Sequence, residues 1–345
     1  MTDLAMTWLA HAAEAYGLEI VEPAEMLRTG SDSIVKIKST QGVFVLKGIP
    51  EECKYGFRHL NAKKMEIQGK WSEAMAEEGL PVVRRLRSCS GQYSAVLDNG
   101  QRRWLTTLEQ YAAGDEFTCR DLNDVHLIGM LLGQLHRVSL ETEIFFGHGT
   151  SWSLFGGNAT EELGDYDENE KSFTAMIGAL KRAECPAELL ERIKKLYHAR
   201  RAEVQNIWME LPAAAVQGDL CPYNMTRGKR GEIAGLFDLN LAGDEVLVGE
   251  LCALLAYYAS YPPPDSPSDK VMHELFQAYV SERPLKKEEL SVVEPLMRLL
   301  PPFRFDRVAR LNREIEVGGK TAVIRAAEET IALLEQSYSS ILQLS

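Results

Sequence analysis

No stretch of this 345-residue chain approaches the roughly 18 consecutive apolar residues that a membrane-spanning helix needs, so a membrane protein is not expected. Charged residues (Asp3, Glu14) stand where a secretory signal would be apolar, and the expected compartment is the cytoplasm. The six cysteines lack any Cys-x-x-Cys pair, and the seven histidines lack any His-x-x-x-His or His-Glu-x-x-His pair. Neither a disulfide framework nor a zinc motif is therefore signalled, and a metal would be held by oxygen. A basic surplus is also missing: 38 Lys and Arg stand against 50 Asp and Glu, a net charge of -12. Nucleic acid, which is bound by neutralising phosphates, is excluded as a general partner. The length and a hydrophobic content of 45% are enough for a sizeable core divided into two lobes.

The first hundred residues alternate helical and extended patterns. An amphipathic helix over residues 2–16 is followed by strands at 33–38 and 42–47, joined by the turn Ser39-Thr-Gln-Gly42. A proline-free helical pattern runs from about Tyr55 to Glu78 and stops at Gly79, a C-cap residue. Further strands are predicted at 82–87, 92–97 and 103–109, giving an antiparallel sheet of about five strands. After Gly114 the periodicity is mainly helical, at 121–136, 187–211, 248–261, 270–281, 286–300 and 321–344.

One segment interrupts the helices. The apolar run Ala213 to Val216 leads into Gln217-Gly-Asp219, and two extended arms, Met225 to Arg227 and Ile233 to Phe237, flank the turn Gly228-Lys-Arg-Gly231 and end on Asp238. This pattern gathers Asp219, Asn224 and Asp238 around one hairpin. Phosphoryl transfer asks the protein mainly to position a hydroxyl and to neutralise phosphate charge. An aspartate at 219 can orient the hydroxyl and take its proton, while the amide oxygen of Asn224 and the carboxylate of Asp238 suit an all-oxygen Mg²⁺ shell.

Gln217-Gly-Asp-Leu-Cys-Pro-Tyr-Asn224 with Leu236-Phe-Asp-Leu-Asn240 resembles the catalytic and metal-binding segments of the aminoglycoside phosphotransferase and choline-kinase-like family. Leu132-Gly-Gln-Leu-His136, Val45-Leu-Lys47 and Gly249-Glu-Leu251 extend the resemblance over most of the chain, which leans toward the homoserine-kinase and spore-coat kinase-like branches. The resemblance implies an α+β, bilobal protein-kinase-like fold. The N-lobe, residues 1–110, would hold the antiparallel sheet and one helix, and the helical C-lobe would take residues 111–345, with a hinge near 108–114 and ATP and Mg²⁺ in the cleft.

It further implies that Lys47 pairs with the ATP phosphates and is held by Glu66, with Glu73 as runner-up. The backbone of Glu109 and Tyr111 would contact adenine, their side-chain identities mattering little. The loop Gly30 to Ser33, with Ser31 and Ser33, would cover the phosphates. Asp219 would be the catalytic residue, and Asn224 and Asp238 the metal ligands. The acceptor would be a small molecule with a hydroxyl, amine-bearing if the acidic run Glu161 to Glu170 helps to recognise it.

Three positions depart from the family pattern: Gln217 replaces a common histidine, Asn240 an acidic residue, and the phosphate loop has a single glycine. A catalytically silent scaffold is the competing expectation. A protein kinase is disfavoured, because Asp238 runs into the next helix with no room for a peptide-binding segment. His136 is expected to be a packed residue at a helix end, and Cys221 to remain a neutral thiol.

Overall fold

The computed structural model describes residues 3–29, 33–50, 61–98, 103–147, 149–150, 153–155 and 167–342. They form two compact units. The first gathers residues 1–118, 141–146 and 221–242, and the second the remaining segments 119–140, 147–220 and 243–345.

The first unit opens with helix α1 (Asp3–Ala15) and continues through strands β1 (Glu25–Thr29), β2 (Ser33–Ser39), β3 (Gly42–Pro50), helix α2 (Ala62–Glu77), β4 (Arg85–Leu86), β5 (Ala95–Asp98) and β6 (Arg103–Gln110). These strands make an antiparallel sheet in the order β1-β2-β3-β6-β4, with β5 also pairing β6. Side chains alternate across it, as the two-residue period of a strand requires. Val35, Ile37, Phe44, Leu46, Trp104 and Leu108 share one core with Leu9, Ala12 and Tyr16 of the α1 region. Ile49 and Leu105, of the opposite parity, pack instead on Met65 of α2. This second face also receives Lys47.

Helix α2 begins where Asn61 accepts the Lys64 N–H in an N-cap, and it buries Met65, Gln68, Gly69, Trp71, Ser72 and Met75. Gly69 leaves room for Tyr93, whose ring would lie 2.1 Å from an added Cβ. The strand expected at 82–87 shortens to two residues because Val82 pairs elsewhere, in a parallel bridge with Leu236. The Leu236 N–H donates to Pro81 and the Val83 N–H to Leu236. A second small sheet, β10-β9-β7, joins β7 (Asp115–Glu116), β9 (Met225–Arg227) and β10 (Ile233–Leu236). These bonds put residues 221–242 in the first unit, so the expected division into contiguous segments at residue 110 is not the observed one.

The second unit is built from α3 (Leu122–Thr142), α4 (Glu168–Arg182), α5 (Ala187–Gln205), α6 (Leu247–Ser260), α7 (Ser268–Glu282), α8 (Lys287–Leu299), α9 (Phe305–Glu335) and α10 (Ser339–Leu342), with β8 (Ala213–Val216) paired antiparallel to β11 (Gly243–Val246). Gly129 and Gly133, one turn apart on α3, face the carbonyl oxygens of Leu275 and Tyr279 on α7, which would lie 2.6 and 2.7 Å from an added Cβ. A stack of Phe173 on Tyr197, both edged by Phe303, ties α4 to α5 and to the turn before α9.

Helix α4 was not expected, because its acidic start reads as a solvated segment. Asp167 caps it through the Glu170 N–H, with Glu168 and Glu170 in the first turn and Lys181 and Arg182 in the last. Helix α9 is interrupted at Gly319, whose φ of 63° breaks the helical path.

Candidate active site

In the first unit the β9-β10 hairpin sets two of the expected ligands side by side. Met225 is in register with Leu236, and the next residue outward on that arm, Phe237, donates its N–H to the Asn224 carbonyl at 3.0 Å. Asn224 closes a single helical turn, Pro222–Asn224, and its side chain is buried. Asp238 follows Phe237 in a left-handed conformation, φ 64°, which a non-glycine residue adopts only where its surroundings enforce it. One of its carboxylate oxygens accepts the Asn240 N–H at 3.3 Å, which helps to hold that turn.

The face of the sheet toward α2 carries a buried ionic group. Lys47 Nζ lies 3.0 Å from Glu109 Oε2, and Arg85 Nη2 lies 3.1 Å from Glu109 Oε1. Arg85 and Glu109 are direct cross-strand partners on β4 and β6, and Lys47 is the diagonal neighbour on β3, opposite Thr107. Burial alone would raise the Glu109 pKa, but the Lys47 and Arg85 charges outweigh it and hold the carboxyl below its usual range. Arg85 also donates to Gln68 Oε1 at 2.9 Å, and Gln68 Nε2 donates to the Leu239 carbonyl at 2.6 Å, one residue beyond Asp238.

Two expectations for this unit are corrected. Glu66 does not hold Lys47: its carboxylate accepts the N–H and hydroxyl of Ser94, because α2 turns Met65 and Gln68 rather than Glu66 into this layer. Glu73 is likewise engaged elsewhere, by Arg87 and Tyr93. Nor is the Glu109 side chain incidental. Strand β6 runs to Gln110 and the Tyr111 N–H donates to Val43 at 3.1 Å, so Glu109 is a residue of the sheet and not of a free hinge. Ser31 lies outside the described residues, and Ser33 opens β2, in register with Gly48. The acidic run Glu161 to Glu170 is described only from residue 167 on.

Asp219 belongs to the second unit, in the loop that follows β8. Its N–H donates to the Gln217 side-chain oxygen at 2.7 Å. Gly218 has φ 79°, and its N–H donates to Glu250 Oε1 at 3.2 Å. The other oxygen of Glu250 lies 2.6 Å from His136 Nε2, and His136 Nδ1 lies 2.8 Å from the Tyr279 hydroxyl, which accepts from Arg283.

These partners fix the proton positions. Arg283 donates to Tyr279, Tyr279 to Nδ1, and Nε2–H to Glu250. Burial pushes the His136 pKa down, partly opposed by Glu250. His136 sits within α3 and bonds side chains, not carbonyls at a helix end as expected. Arg283 is in turn paired with the fully buried Glu289 at 2.7 Å. Glu250, His136 and Glu109 were not read from sequence as parts of a network. A charged residue on an apolar face, such as Glu250 amid Val248, Leu251 and Leu254, is the signal that points to them.

An Asn and an Asp are a sparse set for a metal, and no cluster of three or more His, Cys, Asp or Glu side chains suited to a metal occurs among the described residues. That sparseness fits Mg²⁺, which takes one or two protein oxygens and completes its shell with water and phosphate. The Phe237–Asn224 bond places the backbones of Asn224 and of the residue before Asp238 next to each other.

Comparison with known proteins gives the family and the fold. Among curated proteins no sequence match is found. The fold matches the amicoumacin kinase hAmiN, solved in complex with AMP-PNP, Ca²⁺ and Ami, at TM-score 0.62 and 15% identity, covering 100% of this chain and 98% of that one. It matches an aminoglycoside phosphotransferase from Alicyclobacillus acidocaldarius at TM-score 0.59 and 13% identity, covering 96% and 93%. A microcompartment-associated aminopropanol kinase is similar at TM-score 0.59 and 14% identity, covering 99% and 100%. Residues 28–285 match the phosphotransferase enzyme family, which takes in the β3 lysine, the Asp219 loop and the β9-β10 hairpin. The chain belongs to the phosphotransferase enzyme family.

Proposed function

We propose that this phosphotransferase moves the γ-phosphoryl group of ATP to a hydroxyl of a small, amine-bearing molecule in the cytoplasm. The observation that carries the reading is the backbone bond from Phe237, the residue before Asp238, to Asn224, five residues after Asp219 and within the family match. Asp219 orients the acceptor hydroxyl and takes its proton as the oxygen attacks phosphorus. Gln217 and Glu250 support it by holding the backbone N–H groups of Asp219 and Gly218. Lys47 binds the nucleotide phosphates. Asn224 and Asp238 would hold Mg²⁺, which when bound neutralises phosphate charge.

An amine on the acceptor is supported by the net charge of -12 and by the acceptors named for the similar kinases, amicoumacin and aminopropanol. Transfer of labelled phosphate from Mg·ATP to a panel of amino alcohols and aminoglycosides tests the reading. Asp219→Asn is expected to lower transfer by about 10²-fold or more while Mg·ATP still binds. Wild-type protein that neither binds Mg·ATP nor phosphorylates any acceptor would sink it.

A further inference from the structure

The ionic group under the sheet is more than a packing device. Among the described residues, Lys47 and Arg85 share the single carboxylate of Glu109, so the trio carries a surplus positive charge. Arg85 and Glu109 are each 3% exposed, whereas the Lys47 side chain is 14% exposed. The surplus therefore reaches solvent at the lysine. A buried cation left partly uncompensated at its accessible end is suited to a polyanion.

Nothing on helix α2 supplies the missing negative charge to Lys47, since Glu66 is turned to Ser94 and Glu73 to Arg87 and Tyr93. What α2 does supply is Gln68, a neutral link. Its oxygen accepts from Arg85, and its amide donates to the carbonyl of Leu239, next to Asp238. Arg85 is further fixed by the Met65 carbonyl at 3.3 Å.

We propose that Glu109 on β6 is the positioning residue of the phosphate-binding lysine, and that Arg85 and Gln68 tie it to the backbone beside the metal-ligand aspartate. The helix glutamate expected in that role is replaced by a strand glutamate clamped from its far side by an arginine. This rests on the reading of Lys47 as a phosphate ligand. Register supports the assignment. Arg85 and Glu109 face each other directly and Lys47 stands diagonally, so the carboxylate is held by one cation while it aims the other. Arg85 is then the fixed member and Lys47 the one free to meet the nucleotide.

A double-mutant cycle tests it, with the affinities of Mg·ATP and of adenosine measured by calorimetry. Glu109→Gln is expected to weaken Mg·ATP by about tenfold, the loss that accompanies one charge-assisted hydrogen bond, and to leave adenosine within about twofold. In a Lys47→Ala background the same substitution should have no further effect on Mg·ATP, because it acts only through the lysine. Should the single variant not fold, Glu109→Gln combined with Arg85→Met removes both buried charges and carries the same comparison.

Parallel losses for ATP and adenosine, an additive loss in the Lys47→Ala background, or a loss produced by Glu66→Gln instead would overturn the proposal. Wild-type protein with no affinity for Mg·ATP would overturn the functional reading itself.

Discussion

Glu245 is a carboxyl with a stability cost that depends on pH. It lies on β11, 1% exposed, where one oxygen accepts the Thr150 hydroxyl at 2.7 Å and the other the Val246 N–H at 2.9 Å. Burial, aided by the charge of Glu250 and only partly opposed by those hydrogen bonds, pushes its pKa from 4.5 up to about 7. Because the folded value is raised, the native protein keeps the proton over a range in which the unfolded chain has released it. Stability must then fall as pH rises from about 4.5 to 7 and level off above. The shift corresponds to about 3 kcal/mol. Glu245→Gln keeps the carbonyl acceptor and cannot ionise. The variant should match the wild type near pH 4 and exceed it by up to about 3 kcal/mol at pH 8. Urea midpoints of both proteins from pH 4 to pH 8 measure the difference, in which titrating groups that do not interact with Glu245 cancel. A difference that stays constant over that range would refute the reasoning.

Three further substitutions probe packing, helix propensity and a buried charge. Gly129→Ala would drive a Cβ to 2.6 Å from the Leu275 carbonyl, backbone that cannot yield, and should cost about 1–3 kcal/mol in urea denaturation. Gly178→Ala, where the nearest atom is the flexible end of Arg182, should instead gain about 0.5–1 kcal/mol from helix propensity. Glu289→Gln leaves the buried Arg283 without its counter-ion and should cost about 3–5 kcal/mol, whereas Glu289→Gln with Arg283→Met should recover much of the loss.

The β9-β10 hairpin was legible because its turn residues, its alternating arms and its terminal aspartate all fall within 22 residues, where local chemistry sets the geometry. The partner of Lys47 was not. Counting from Lys47 to a glutamate on the next helix says nothing about which face of that helix turns inward, and Glu66 and Gln68 differ by only two positions. The strand signal was present. Arg85 and Glu109 are charged residues on inward positions of strands, and such residues demand partners across the sheet. Helix α4 was missed through its acidic start, although Phe173, Met176, Ile177 and Leu180 follow a helical spacing and its end charges match the helix dipole. The helix expected at 321–344 covers only the part of α9 that follows the kink at Gly319, and the part that precedes it, from Phe305, was not expected.

The departures from the family pattern can now be weighed against a silent scaffold. Gln217, two residues before the proposed catalytic aspartate, accepts the Asp219 N–H at 2.7 Å while itself buried, so it keeps a bond to the loop backbone. At a second departure Asn240 donates its backbone N–H to Asp238, a bond that any residue but proline could make there. A scaffold released from catalysis has no reason to retain Asp238 in a left-handed conformation or Gly218 at positive φ, both of which cost conformational freedom or strain. Nor has it reason to bury a chain of five polar side chains, Glu250, His136, Tyr279, Arg283 and Glu289, whose end fixes the N–H beside Asp219. Burying such a network is costly, and although each member bonds the next, Arg283 Nε finds no partner among the described residues. The bonds to the N–H groups of Gly218 and Asp219 fix the backbone of the loop, which suits the hydroxyl-orienting role proposed for Asp219.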